Sequence, residues 1–137
     1  MNTILMRVSG LGLCTALGVG AAQAEVANEA WVARYNGPGN GKDNAQALAV
    51  DVAGNAYVTG FSDGGGGNYD FATVKYDGDG NQVWAARYDG KSRGADWVKA
   101  VTVDAEGNVV VTGSSAGEDT GFDFATVKYD AEGKQLW

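Results

Sequence analysis

The chain repeats itself at a spacing of 53 residues. Trp31, Trp84 and Trp137 stand at this interval, and the octapeptide DFATVKYD occurs at 70–77 and again, unchanged, at 123–130. The segments WVARYNG and WAARYDG align without a gap, as do VDVAGNAYVTGFS and VDAEGNVVVTGSS. A period of this size is typical of stacked or radial repeat architectures. The fold must therefore use one structural unit more than once.

Each period contains four short runs rich in β-branched and aromatic residues. Tight turns such as DVAGN and GDGN separate these runs. No stretch of the mature chain has apolar residues at helical spacing, so no helix is predicted there. Four strands in about 50 residues are typical of a propeller blade. We therefore predict an all-β fold of β-propeller-type, four-stranded blades, in about two tandem repeats.

The first 24 residues have the composition of a secretory signal peptide. Arg7 precedes a run of small apolar residues, and AQA at 22–24 fits the small-x-small rule of signal peptidase. We expect cleavage after Ala24 and a secreted, periplasmic or cell-surface location. The single Cys14 lies in this leader, and Leu13 before it argues against lipidation. The mature chain would then hold no cysteine and no disulfide.

Residues 25–137 hold the repeats. We place the first at 31–83, the second at 84–136, and the start of a truncated third at Trp137. Rings need about four to eight blades, so we expect a fragment of a larger propeller that self-associates through open blade faces. The balance of 17 acidic to 10 basic residues argues against nucleic acid and against anionic membrane surfaces as partners. No membrane insertion is expected after the signal is removed.

The repeat also resembles a known family. VDxxGNxxVTGxS followed by KYDxxGxxxW is similar to the SBBP repeat of bacterial seven-bladed β-propellers. The resemblance covers nearly all of the mature chain and implies an extracytoplasmic propeller without family-wide catalytic residues. The matching positions are Asp51, Gly54, Asn55, Val58, Thr59, Gly60, Lys75, Tyr76, Asp77, Gly80 and Trp84, and then Asp104, Gly107, Asn108, Val111, Thr112, Gly113, Lys128, Tyr129, Asp130, Gly133 and Trp137.

Motifs that suggest chemistry have structural explanations. GFSDG and GSSAG spell G-x-S-x-G around Ser62 and Ser115, but the chain contains no histidine to serve as the base. DGDGN at 77–81 resembles the start of a calcium loop, yet its counterpart DAEGK places Lys134 where calcium would need an oxygen. We therefore predict a non-catalytic protein with no metal and no cofactor.

Function is better sought where the two copies differ. They differ most in the segments 36–46, 63–69, 89–99 and 116–122, which a four-stranded meander places at one end of the sheet. There Tyr69, Arg93, Trp97 and Asp119 are the candidate binding residues, for a protein or glycan ligand. The repeat signature, in contrast, is expected to be structural: Trp31, Trp84, Trp137, Asp51, Asp104, Gly54, Gly107, Asn55 and Asn108.

The sequence thus predicts an exported β-propeller repeat protein that acts as a binding or structural module. Two alternatives stay open. The chain could belong to a propeller enzyme, quinoprotein-like or lyase-like, whose catalytic residues lie in other blades. It could also belong to an envelope assembly scaffold.

Overall fold

The computed structural model describes residues 28–137, and this part of the chain is all-β. The expected signal peptide and Cys14 lie outside the described residues. From residue 28 onward there is no helix, and so none that could cross a membrane. The strands are β1 (Asp43–Val50), β2 (Ala56–Asp63), β3 (Tyr69–Tyr76), β4 (Gln82–Tyr88), β5 (Asp96–Val103), β6 (Val109–Ala116) and β7 (Phe122–Tyr129).

The strands form two antiparallel sheets, and hairpins join the successive strands within each sheet. The first sheet has the order β1-β2-β3-β4, and the second sheet has the order β5-β6-β7. β2 and β3 are buried on both faces, because small or apolar residues fill most positions of AYVTGFSD and YDFATVKY. Strands of this kind need cover on both sides. The first copy of the octapeptide therefore lies in a central strand, whereas the second lies in the outermost strand of its sheet.

The two sheets pack face to face around an apolar core. Tyr57 and Phe71 of the first sheet form one buried cluster with Val98, Val111 and Val127 of the second. We call the face that carries Tyr57 and Phe71 the downstream face, because it looks toward the sheet that follows in the chain. The opposite side of each sheet is its upstream face. The stack is directional, since the downstream face of the first sheet covers the upstream face of the second.

Tryptophans one period apart make the same contacts. Trp31 Nε1 donates to the carbonyl oxygen of Gly78 at 3.1 Å, and Trp84 Nε1 donates to that of Ala131 at 3.0 Å. Each ring also lies against the turn glycine two residues after its acceptor, where a Cβ would come within 2.7 Å of the ring. Each tryptophan thus packs its own segment against a tight turn of the sheet that follows in the chain.

The signature Asp and Asn residues hold the tight turns. Asp51 Oδ1 accepts the backbone N–H of Asn55 at 2.9 Å, while Asp51 Oδ2 accepts its side-chain amide at 2.7 Å. Asp104 and Asn108 repeat both bonds at 2.8 Å. The side-chain amide in each turn lowers the pKa of the aspartate that it contacts. The glycine between them has φ near +80°, which strongly favours glycine.

In two places the described residues do not form all four strands predicted for each repeat. Residues 31–35, the counterpart of β4 one period earlier, lie on the upstream face of the first sheet without pairing as a strand. The second sheet has three strands, because after β7 only Gln135 forms a bridge, to Tyr129. A strand requires a hydrogen-bonded neighbour along its length. Within residues 28–137, no strand pairs with 31–35, and the segment after β7 reaches only Lys128 and Tyr129, through the backbone bonds of Leu136 and Trp137 and the bridge of Gln135. No sheet closes into a ring within the same range.

β4 ends at Tyr88, so Trp84 lies in the last strand of the first sheet. The repeats placed at 31–83 and 84–136 stay a division of the sequence. Alternate connections then lie at opposite ends of the sheets. Tight turns at 51–55, 77–81, 104–108 and 130–134 form the turn end, and the connections 36–42, 64–68, 89–95 and 117–121 form the loop end.

Two buried tyrosines of the core differ in hydrogen bonding. Tyr57 Oη donates to Asp51 Oδ2 at 3.0 Å, whereas Tyr129 Oη has no partner in the described structure, and burial raises the pKa of Tyr129 to about 12. We expect Tyr57→Phe to lower the free energy of unfolding by about 1–2 kcal/mol, because a bond to a carboxylate is lost. Tyr129→Phe should raise it by about 1 kcal/mol, because an unpaired hydroxyl is removed. Urea unfolding measures both, and effects of the same sign would contradict these contacts.

Candidate binding site at the loop end

Three aromatic side chains from both sheets meet at the loop end. The ring centroids of Phe61 and Trp97 are 4.8 Å apart, those of Phe61 and Tyr69 are 5.1 Å apart, and those of Tyr69 and Trp97 are 5.5 Å apart. We call these three residues the aromatic cluster. Phe61 is buried, while Tyr69 and Trp97 are partly exposed. The cluster therefore presents two supported rings to solvent.

The strands themselves position this cluster. Phe61 lies near the end of β2, Tyr69 begins β3, and Trp97 is the second residue of β5. Tyr69 and Trp97, expected in loops, thus lie on strands. Rings held by strands have less freedom than rings on loops, so they lose less entropy when a ligand binds. Lys42 adds a charge here, with its Nζ 5.5 Å from the centroid of the Phe61 ring.

The other two candidate residues, Arg93 and Asp119, are not part of the aromatic cluster. Arg93 is exposed, has φ of 52°, and accepts a hydrogen bond on its carbonyl oxygen from the side-chain amide of Asn68. It therefore lies beside the residue that precedes Tyr69. Asp119 is exposed and lines a separate hollow together with Phe124. Three of the four candidates thus lie around one place, and Asp119 lies apart.

The sequence reasoning missed Phe61. Its counterpart one period later is Ser114, so the position differs between copies and carries a large apolar side chain in only one. That difference was the available signal. This signal is hard to recognise, because Phe61 lies inside the run AYVTGFS, which has the pattern of a strand and not of a variable connection.

A polar network lies beneath the loop end, on the upstream face of the first sheet. Arg87 Nη1 donates to Ser62 Oγ at 2.6 Å, and Arg87 Nη2 donates to Asp70 Oδ2 at 2.7 Å. Ser62, the serine of the first G-x-S-x-G motif, is fully buried. Its oxygen therefore accepts a hydrogen bond from a guanidinium group, which stays protonated and cannot serve as the base that would take the serine proton. The geometry assigns this serine a packing role.

The described residues that could hold a cation are Asp70, Asp89 and Asp96. One carboxylate oxygen from each lies within 4.8 Å of the others, a span that fits two calcium–oxygen distances. Burial, followed by the charges of Asp70 and Asp96, raises the pKa of Asp89. Asp96 Oδ2 accepts the backbone N–H of Gly90, and Asp70 already pairs with Arg87. The three aspartates come from distant positions in the chain, so no spacing motif reveals them.

The loop DGDGN that resembled a calcium loop has a different geometry. Asp77 Oδ1 accepts the backbone N–H groups of Asp79 and Asn81, and Asp77 Oδ2 accepts the Asn81 side-chain amide. The amide of Asn81 lowers the pKa of Asp77. The turns of Asp51 and Asp104 contain the same hydrogen bonds, so the Asp77 carboxylate stabilises its own hairpin turn.

Comparison with known proteins leaves the site to be interpreted from its geometry. A scan against protein-family models finds no match, and a search of curated proteins finds no relative. The similarity to SBBP repeats accordingly stays a prediction carried by the repeat signature.

Proposed function

We propose that this chain is part of an exported, non-catalytic β-propeller that binds a protein or glycan ligand at its loop end. The observation that carries the proposal is the aromatic cluster, in which Tyr69 and Trp97 offer partly exposed faces on a rigid support. Aromatic rings held in this way supply large contact areas at low entropic cost and dominate many binding surfaces. Lys42 adds a charge beside the Phe61 ring, and Arg93 contributes a further cation to the same end, where its carbonyl oxygen accepts a hydrogen bond from Asn68.

The directional packing of the sheets supports the propeller part of the proposal. Each blade of a propeller lays one face on the opposite face of the next blade, and the two sheets here do the same. The contacts of Trp31 with Gly78 recur between Trp84 and Ala131. A contact that repeats with the sequence period is what radial repetition requires.

The two ends of the sheets differ in what they offer to a ligand. At the turn end, the carboxylates of Asp51, Asp77, Asp104 and Asp130 accept hydrogen bonds from their own turns. The loop end carries the connections that differ between copies. Variable loops on a rigid scaffold are the usual location of binding residues, so the loop end is the better candidate.

The test is a substitution taken from the chain itself. The counterpart of Trp97 one period earlier is Asn44, so Trp97→Asn introduces a residue that the same strand position already holds. The protein is screened against immobilised glycans and against surface proteins of the producing cells. We expect Trp97→Asn to weaken any binding found by roughly tenfold or more.

A matched control lies at the other end of the sheets. Val52 is fully exposed in a turn, so Val52→Asn should leave binding unchanged. Exchanging each loop-end connection for its counterpart should alter affinity while the fold survives. Suppose that binding persists through Trp97→Asn and all the exchanges but falls when the tight turns are altered. The binding site would then lie at the turn end, and the proposed loop-end site would be wrong.

A further inference from the structure

Three carboxylates from the two sheets meet at the loop end. Asp70 lies in β3, Asp89 directly follows β4, and Asp96 begins β5 of the second sheet. One carboxylate oxygen from each lies within 4.8 Å of the others. We call these three residues the aspartate cluster. Asp70 and Asp96 are buried, whereas Asp89 is exposed, so the cluster is accessible from solvent on one side.

The carboxylate that Asp96 contributes to the cluster is only half satisfied. The Asp96 side chain is 0 % exposed, and its Oδ2 accepts the backbone N–H of Gly90 at 2.8 Å. Its Oδ1 is buried and has no hydrogen-bond partner among residues 28–137. A buried charged oxygen without a partner is costly, because nothing replaces the water that it has lost. This oxygen therefore needs a donor or a cation from outside the described residues.

A small recess beside Asp96 is lined by oxygen atoms. The point that a Cβ on Gly90 would occupy lies 3.0 Å from Asp96 Oδ1 and still closer to Ser115 Oγ. Ser115, the serine of the second G-x-S-x-G motif, is also buried. Its hydroxyl thus adds a neutral oxygen beside the buried carboxylate. Carboxylate, hydroxyl and water oxygens are the ligand type that a hard cation such as calcium prefers.

The counterpart of Asp96 one period earlier has different neighbours. Asp43 Oδ2 accepts the backbone N–H of Gly37 at 3.0 Å, and Asp43 Oδ1 is likewise buried without a hydrogen bond. The point of a Cβ on Gly37 lies 2.9 Å from Asp43 Oδ1 and 3.1 Å from Arg87 Nη1, so a guanidinium group lies beside this carboxylate. Asp96 instead lies beside two further carboxylates. The same strand position is thus more negative in the second sheet.

The charges around the aspartate cluster favour a cation. Arg87 Nη2 pairs with Asp70 Oδ2 at 2.7 Å, and no other ion pair within residues 28–137 involves the cluster. Burial and the charges of Asp70 and Asp96 raise the pKa of Asp89, although Arg93 and Arg87 act in the opposite direction. The carboxylates therefore repel one another by more than the nearby arginines offset, and a bound cation would relieve that repulsion.

We infer that the aspartate cluster is a calcium site that bridges the two sheets. Calcium–oxygen distances are about 2.3–2.6 Å, so two oxygens on opposite sides of one ion lie about 4.6–5.2 Å apart. The span of up to 4.8 Å in the cluster fits this ion. Magnesium, with distances of about 2.0–2.1 Å, spans only about 4.2 Å and tolerates less variation. Water completes the coordination on the exposed side, next to Asp89.

The site lies next to the aromatic cluster. Tyr69 directly precedes Asp70, and Trp97 directly follows Asp96. An ion that holds these two aspartates together also holds the strand ends that carry the two partly exposed rings. The inference does not depend on the ligand proposed for the loop end. The absence of a metal was predicted from the motifs of the sequence, among them the loop at 77–81, and the aspartate cluster lies outside that loop.

The experiment measures calcium binding by the full chain and its variants. The protein is expressed from its full coding sequence, recovered as the host processes it, stripped of cations with a chelator and transferred to chelator-free buffer. Calcium chloride is titrated into it in a calorimeter, and thermal unfolding is followed with and without calcium. Asp89→Asn removes one ligand at an exposed position and introduces the residue type that Asn36 supplies one period earlier. Asp96→Asn removes the buried ligand.

Glu118→Gln is the matched control. Glu118 is exposed at the loop end and lies outside the cluster, so this change removes the same amount of charge without removing a ligand. Circular dichroism verifies that each variant is folded. If Asp96→Asn does not fold, Asp89→Asn still tests the site, because an exposed side chain is replaced.

The unaltered chain and Glu118→Gln should each bind one calcium ion. Calcium at a hundredfold excess over its Kd should raise the midpoint of thermal unfolding by about 5–10 °C, because the assembled site exists only in the folded state. Asp89→Asn and Asp96→Asn should each weaken calcium binding by roughly tenfold or more, since affinity depends on the number of charged ligands. Magnesium chloride at the same concentration should raise the midpoint by less.

No binding up to about 10 mM calcium would overturn the inference, since even weak extracellular calcium modules have a Kd of about 0.1–1 mM. An unchanged affinity in Asp89→Asn would overturn it too, as would an equal loss in Glu118→Gln, which would reveal a general effect of net charge. Magnesium that binds as tightly as calcium would contradict the assignment of the ion. None of these outcomes concerns the loop-end ligand, which the Trp97→Asn measurement tests separately.

Discussion

Replacing Trp84 with alanine should lower the free energy of unfolding by about 3–5 kcal/mol. The indole lies between the sheets, with its centroid 6.1 Å from the ring of Tyr57 and 6.3 Å from that of Tyr129. Its Nε1 also donates to Ala131 O at 3.0 Å. The change leaves a cavity that two sheets line and a carbonyl without its donor. Chemical denaturation measures the loss.

Trp31 is the matched control for this prediction. It makes the equivalent hydrogen bond, but it is 38 % exposed, and among residues 28–137 it packs against one sheet. Trp31→Ala should therefore cost roughly half as much or less, since the penalty scales with the apolar contact removed. A loss below about 0.5 kcal/mol for Trp84→Ala would mean that the indole is exposed, and the assigned packing between the sheets would then be wrong.

The second large effect is expected at Phe71. Phe71→Ala should cost about 3–5 kcal/mol, because this fully buried ring fills the space between Tyr88 and the second sheet. The measurement is urea unfolding at a protein concentration where the chain is monomeric. The midpoint should fall strongly while the denaturant dependence stays close to that of the unaltered chain.

Phe124 offers the control, because it occupies the same place in the same strand sequence. Phe124→Ala should change the free energy of unfolding of the monomer by no more than about 0.5 kcal/mol, since the ring is almost fully exposed. Equal costs for the two alanine variants would show that both rings are buried alike. The two sheets would then not pack in the direction described.

Local features of the fold could be predicted from the sequence because they depend on a few neighbouring residues. The turn DVAGN needs an Asp to accept bonds from its own backbone and a Gly for positive φ. The spacing of Trp31 and Trp84 likewise reports one packing contact made twice. Such features follow from short-range geometry, and the structure contains them where the repeat places them.

Features that depend on contacts between sheets could not be predicted in the same way. Trp97 meets Phe61 and Tyr69 because the second sheet packs against the first. The neighbours Asp70, Asp89 and Asp96 meet for the same reason. Nothing in the pattern of either sheet says which of its faces looks downstream, because β2 and β3 are apolar on both sides. The direction of stacking is a property of the packed pair.

Proton–proton NMR detects the direction of stacking through contacts between named protons of the two sheets. The stack predicts a nuclear Overhauser effect between the ring protons of Phe71 and the α-protons of Gly113, because a Cβ at that glycine would lie 2.9 Å from Phe71 Cζ. It also predicts one between the indole of Trp84 and Gly133. If neither effect appears in the folded monomer, and the Phe71 ring resonates as a solvent-exposed side chain, the sheets do not stack as described.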